Sequence, residues 1–134
     1  MMAKVIYQGD LRTGSTHLAS GNEIITDAPI DNQGKGEAFS PTDLLSSALA
    51  SCIMTIMGIR ANDMNIDLNG MTAEVTKVMA ANPRRVARVK VAIHIPLDPD
   101  EKTKTILENA GNTCPVAKSL HPDLDQDISY HWSN

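Results

Sequence analysis

Ser40-Pro41-Thr42-Asp43-Leu44-Leu45-Ser46-Ser47-Ala48-Leu49-Ala50-Ser51-Cys52-Ile53-Met54-Thr55-Ile56-Met57-Gly58-Ile59 is the stretch that decides the architecture. Its first four residues spell a helix start. Ser40 suits the N-cap, Pro41 the first helical position, and Asp43 the third, where its carboxylate can reach back as the reciprocal member of a capping box. From Leu44 to Ile59 the residues are apolar or small on nearly every side. An amphipathic surface helix would carry one apolar stripe. This pattern predicts a central helix covered on most sides. The serines and Thr55 that interrupt the run leave about 16 apolar-biased residues, short of a membrane span. Gly58 and Asn62-Asp63 mark the fading end.

On the N-terminal side, Ala3–Tyr7 reads as a strand closed by a Gln8-Gly9-Asp10 turn. A hairpin is expected next, with Ser15–Ala19 against Glu23–Asp27 across Ser20-Gly21-Asn22. Residues 28–39 hold Pro29, Asn32, Gly34 and Gly36 and read as a loop. On the C-terminal side, 71–79 and 85–95 form two strands around Ala81-Asn82-Pro83. In the second, Val89, Val91, Ile93 and Ile95 alternate with Arg88, Lys90 and His94, the period of a sheet with one face on the core and one in water. Asp98-Pro99-Asp100-Glu101 repeats the N-cap, proline and acid grammar, with Asp98 as the cap of a helix to about Ala110. Thr113-Cys114-Pro115 opens a short helix to Leu120 with Thr113 as its cap, and 128–132 is a closing strand. The order βββ-α-ββ-α-α-β, in blocks, predicts a single α+β domain over residues 1–134, with helices packed on antiparallel sheet.

Composition narrows the function classes. Net charge is −4 and aromatics make up 3% of the chain, which argues against nucleic acid as a partner. The N-terminus lacks a signal-peptide core, so a cytoplasmic, non-membrane protein is expected. In that reducing setting two cysteines point to buried, redox or catalytic thiols rather than a permanent disulfide. No metal is expected, because Cys52, Cys114, His17, His94, His121 and His131 are scattered without local ligand pairs.

Cys52 lies within the buried-type helix, where a free cysteine is commonly a small hydrophobe. Cys114, at the first position of its helix, would have its thiolate stabilised by exposed N–H groups and the helix dipole. A thiol peroxidase needs an attacking thiolate, a positive group that favours it, and a second thiol to resolve the sulfenic acid. The two cysteines could supply the first and third. Arg12, just after the first strand, is the candidate cation, with a solvated loop arginine as its plain alternative. Spacing alone does not bring Cys52 and Cys114 together.

The frame Ser40-Pro41-Thr42-Asp43-Leu44 through Cys52, with proline eleven residues before cysteine, resembles the central-helix signature of the OsmC/Ohr family. Cys114-Pro115-Val116 resembles its second-cysteine motif, and Gly34–Phe39 its pre-helix turn. The resemblance covers essentially the whole chain. It implies an OsmC-like α+β fold, with antiparallel sheets around a long buried central helix in an intertwined homodimer. It further implies a peroxidase acting on organic hydroperoxides or hydrogen peroxide through a peroxidatic Cys52 and a resolving Cys114, without metal or organic cofactor. An external dithiol of lipoyl or thioredoxin type would reduce the disulfide. Arg12 matches the family's activating arginine by location. In the Ohr branch an acid directly follows the proline. Here that position is Thr42, and Asp43 stands one residue later, open between a site role and a capping role. A non-catalytic protein binding a small hydrophobic ligand or sensing redox state, with Met54, Met57 and Met64 beside the thiols, is the alternative.

Overall fold

The computed structural model describes residues 1–133. Contacts divide the chain into two units, Met1–Leu45 and the part from Ser46 onward.

The first unit is a three-stranded antiparallel sheet, β1 (Ala3–Gly9), β2 (Arg12–His17) and β3 (Glu23–Asp27), in that order. The first turn is Asp10-Leu11, one residue later than expected, and both residues have positive φ, the signature of a two-residue hairpin turn matched to strand twist. The β2–β3 hairpin forms in a different register from the one expected. Thr16 faces Glu23 and Arg12 faces Asp27. The reason is the turn: His17 N–H donates to Asn22 O and Gly21 N–H to His17 O, so the reversal occupies residues 18–21 and β2 ends before Leu18. Arg12 is therefore a strand residue, not a loop residue. Residues 28–39 form the expected loop, with one 3-10 turn at Ile30–Asn32.

Helix α1 (Pro41–Asp63) starts as the sequence prescribes. Ser40 N–H donates to Asp43 Oδ2 at 3.0 Å, and Asp43 N–H donates to Ser40 Oγ at 3.0 Å. Both halves of the capping box are made. Its 23 residues are long and apolar enough to cross a membrane by length and composition, longer than the apolar run counted in the sequence. Its buried residues, however, are Ser46, Leu49, Ala50, Ile53, Met57 and Ala61. That is one helical stripe, and from Leu49 onward it packs in the core of the second unit. The cover expected on most sides is not seen: Leu45 and Ile59 are 38% and 56% exposed. A three-stranded sheet covers only one side of a helix.

That sheet consists of β4 (Thr72–Ala80), β5 (Arg85–Ile95) and β6 (Asp125–Trp132), with β5 central. The alternation in β5 is realised in full, since Val89, Val91, Ile93 and Ile95 are all 0% exposed. Each such side chain contributes roughly 1.5–3 kcal/mol of burial, so this strand and the α1 stripe anchor the unit. β4 pairs antiparallel to β5, but β6 runs parallel to it, with Ile93 beside Tyr130. The sheet is therefore mixed, which corrects the expectation of purely antiparallel pairing. α2 (Glu101–Gly111) and α3 (Pro115–Ser119) lie between β5 and β6 in the chain, and a connection of that length permits the parallel return. The cap of α2 is Asp100, not Asp98: Asp100 Oδ1 accepts from Thr103 N–H at 2.9 Å, while Asp98 pairs with Lys104 Nζ at 2.9 Å.

Candidate thiol site

Cys52 and Cys114, 62 residues apart in sequence, meet in the second unit. Both are free thiols, Cys52 half-buried on α1 and Cys114 fully buried. Cys114 is the N-cap of α3 itself rather than its first helical residue. Its Sγ accepts from Ala117 N–H at 3.3 Å, and Pro115 takes the first position. The sulfur thus substitutes for a capping oxygen. Expectation and structure differ in sign for this thiol. Burial pushes Cys114 upward, and the hydrogen bond with Cys52 adds to the shift. The N–H groups of Ala117 and Val116 pull the other way and are outweighed. Desolvation disfavours a charged sulfur more than a single helical turn favours it. Cys114 keeps its proton, and Cys52 is the thiol left with access to solvent.

The turn that carries Cys114 is held closely. Gly111, the last residue of α2, lies so near α1 that a Cβ there would sit 3.0 Å from Ile53 Cγ2, 3.1 Å from Met57 Cγ and 2.9 Å from Tyr130 Oη. The glycine is required by this approach; it is the last residue of α2, and Asn112 is the right-handed C-cap. Tyr130 Oη donates to Asn112 Oδ1 at 2.8 Å, and Trp132 Nε1 donates to Glu108 Oε2 at 3.1 Å. Burial, with Glu108 and Cys114 nearby, pushes the Tyr130 phenol up to about 12. Neither Tyr130 nor Asn112 was a candidate from sequence. A strand tyrosine carries no local signal, and its partnership depends on β6 returning parallel to β5.

In the first unit Arg12 is bound by two carboxylates. Its Nε and Nη2 donate to Asp27 Oδ1 and Oδ2 at 2.7 and 2.8 Å, a bidentate pair, and Nη2 also donates to Glu37 Oε1 at 3.2 Å. Asp27 is 1% exposed and also accepts from Glu37 N–H at 3.1 Å. Arg12 and that N–H hold the Asp27 carboxyl below its ordinary value, and Asp27 in turn raises Arg12. The guanidinium is fixed in place by these bonds, and its charge is more than balanced locally. Asp27 and Glu37 are the partners of Arg12 that sequence reasoning missed. The register shown above, which puts Arg12 opposite Asp27, would have revealed the first. Asp43, the other candidate acid, is engaged in the capping box.

Among the described residues no three His, Cys, Asp or Glu side chains gather as a metal site. His94 and His131 stack on each other, His17 bonds Ser20 and His121 lies beside Asp123.

The helix-centred α+β fold with paired thiols defines a protein class. The model of the OsmC-like protein family matches residues 34–129, and the chain belongs to that family. It is similar to a Psychrobacter arcticus protein described for osmotic stress induction and a detoxification response, at 63% identity over 98% of this chain and 96% of that one, with a TM-score of 0.95. The Legionella pneumophila organic hydroperoxide resistance protein OsmC is 18% identical over 98% and 95% of the two chains, with a TM-score of 0.73. OhrB of Bacillus subtilis, an organic hydroperoxide resistance protein, is 18% identical over 97% and 98%, at 0.67. These last two establish a shared fold. No relative among curated proteins matches the sequence.

Proposed function

We propose that this protein is a cysteine-based peroxidase that reduces organic hydroperoxides, and possesses no metal or organic cofactor. The observation that carries the reading is the contact between a half-buried Cys52 and a buried Cys114. The names of the Legionella and Bacillus proteins of the same fold, both concerned with organic hydroperoxide resistance, support the substrate class. In the proposed cycle the Cys52 thiolate attacks the terminal peroxide oxygen and the O–O bond breaks. Cys52 becomes a sulfenic acid, while the departing alkoxide takes a proton from solvent and leaves as the alcohol. Cys114 then attacks that sulfur, forming the disulfide and releasing water. An external dithiol, of lipoyl or thioredoxin type, restores both thiols by exchange.

Arg12 is the proposed donor to the peroxide, oriented by Asp27 and Glu37, and Asp43 serves by starting α1. The proposed assembly is a homodimer. Its support is the apolar surface this chain leaves open, with Val5, Ile6, Tyr7, Ile24 and Ile25 on the first sheet all about half exposed or more, and the uncovered Leu45 and Ile59 on α1.

Consumption of cumene hydroperoxide with a dithiol tests the reading. The wild type is expected to turn over and Cys52→Ser to be inactive. Cys114→Ser should stall as a sulfenic acid trapped by dimedone. Cysteines that survive excess hydroperoxide unmodified would favour a non-catalytic, ligand-binding role.

A further inference from the structure

The segment between α2 and α3 is short, and most of its bonds are local. Thr113 N–H donates to Ala110 O, and Cys114 N–H donates to Gly111 O. Local bonds set the shape of a turn but not its place relative to other elements. Placement comes from links to distant parts of the chain. One is the close approach of Gly111 to Ile53, the residue next to Cys52. Another is Gln126 Nε2, which donates to Ala117 O at 2.9 Å. The third is the Tyr130 hydroxyl. Its single proton lies between Asn112 Oδ1 at 2.8 Å and Glu108 O at 3.4 Å, and the shorter contact takes it. Asn112 is two residues before Cys114, so this bond ties the cysteine's turn to the strand beside β5.

The geometry points to Tyr130 and Asn112 as positioning residues that hold Cys114 within hydrogen-bond reach of Cys52, so that they govern the resolving step and not the first attack on peroxide. This assignment rests on the peroxidase reading only in calling Cys114 the resolving thiol. A disulfide forms only within a narrow range of separation and torsion. A turn free to drift would lower the rate of that step and leave the chemistry of Cys52 as it was. The consequence under peroxide is a longer-lived sulfenic acid, open to a second hydroperoxide that takes Cys52 to sulfinic acid and releases another alcohol.

The test separates resolution from peroxide chemistry. The reduced full-length protein is mixed with excess Ellman's reagent. The Cys52 thiolate displaces one thionitrobenzoate and becomes a mixed disulfide. Cys114 then loses its proton to solvent, attacks the Cys52 sulfur and releases the second thionitrobenzoate. The first phase is the internal reference, and the second reads the positioning. Tyr130→Phe and Asn112→Ala are each expected to slow the second phase about fivefold, the fold-change carried by one neutral hydrogen bond. Asn112→Asp keeps the acceptor and is expected to restore the wild-type rate. A wild-type second phase in either Tyr130→Phe or Asn112→Ala overturns the assignment, and so does an Asn112→Asp as slow as Asn112→Ala. Inertness toward hydroperoxide would instead remove the peroxidase reading and leave this measurement standing.

Discussion

Gly111→Ala is the substitution whose outcome the structure constrains most tightly. The added methyl would meet Tyr130 Oη at 2.9 Å, Ile53 Cγ2 at 3.0 Å and Met57 Cγ at 3.1 Å, where carbon contacts are comfortable at about 3.5–4.0 Å. Met57 can bend away, because its side chain is unbranched. Ile53 cannot, since β-branching fixes its rotamer in a helix and it is 1% exposed. Overpacking of this kind costs about 1–3 kcal/mol. Against it stands a gain of at most about 1 kcal/mol for replacing a helical glycine by alanine, reduced because Gly111 is the last residue of α2. The balance is a loss of about 1–2 kcal/mol, or roughly 3–8 °C in Tm for a chain of this size. Urea denaturation of the reduced protein reads it directly, and a slower second phase with Ellman's reagent should accompany it as α2 moves off α1. A variant as stable as the wild type, or more so, would refute the claim that this glycine sets the distance between the two helices.

Two further predictions concern the first unit and the assembly. The Asp27 carboxyl is depressed in the folded state by Arg12 and the Glu37 N–H, so its contribution is present above the unfolded value near about 4 and is lost as pH falls through the lower folded value. The stability gap between wild type and Asp27→Asn should therefore narrow on acidification, read as urea midpoints from about pH 5 to pH 2; a gap constant across that range would contradict the ion-pair assignment. Light scattering of the reduced protein should give twice the 14.5 kDa chain mass, and a stable particle of one chain's mass would remove the proposed homodimer.

What was legible in the sequence was what short-range chemistry determines. Ser40, Pro41 and Asp43 specify their capping box within four residues, and the alternation of β5 specifies its buried face. The expected cover of α1 differs from the one stripe that is buried, because apolarity all round does not say which sides of a helix the fold packs. The sites that failed were those set by register or by long return. Pairing Ser15–Ala19 with Glu23–Asp27 places Asp27 opposite Ser15 and hides its bond to Arg12. The observed register exposes it. Thr113 and Cys114 differ as caps by one residue, and that residue turns the sulfur into the acceptor for Ala117. The direction of the Cys114 shift was misread for a related reason: a helix start is visible in sequence, while the burial that outweighs it belongs to the tertiary fold. The meeting of Cys52 with Cys114 could come only from the family resemblance, since 62 intervening residues carry no local signal for it.

The central claim is that Cys52 and Cys114 act as a pair. Intact mass and free-thiol count after one equivalent of cumene hydroperoxide, without reductant, test it most directly. The account predicts loss of both free thiols and a mass lower by two hydrogens, with a single peptide linking Cys52 to Cys114. A mass higher by one oxygen with Cys114 still free, or no change in either cysteine, would contradict it.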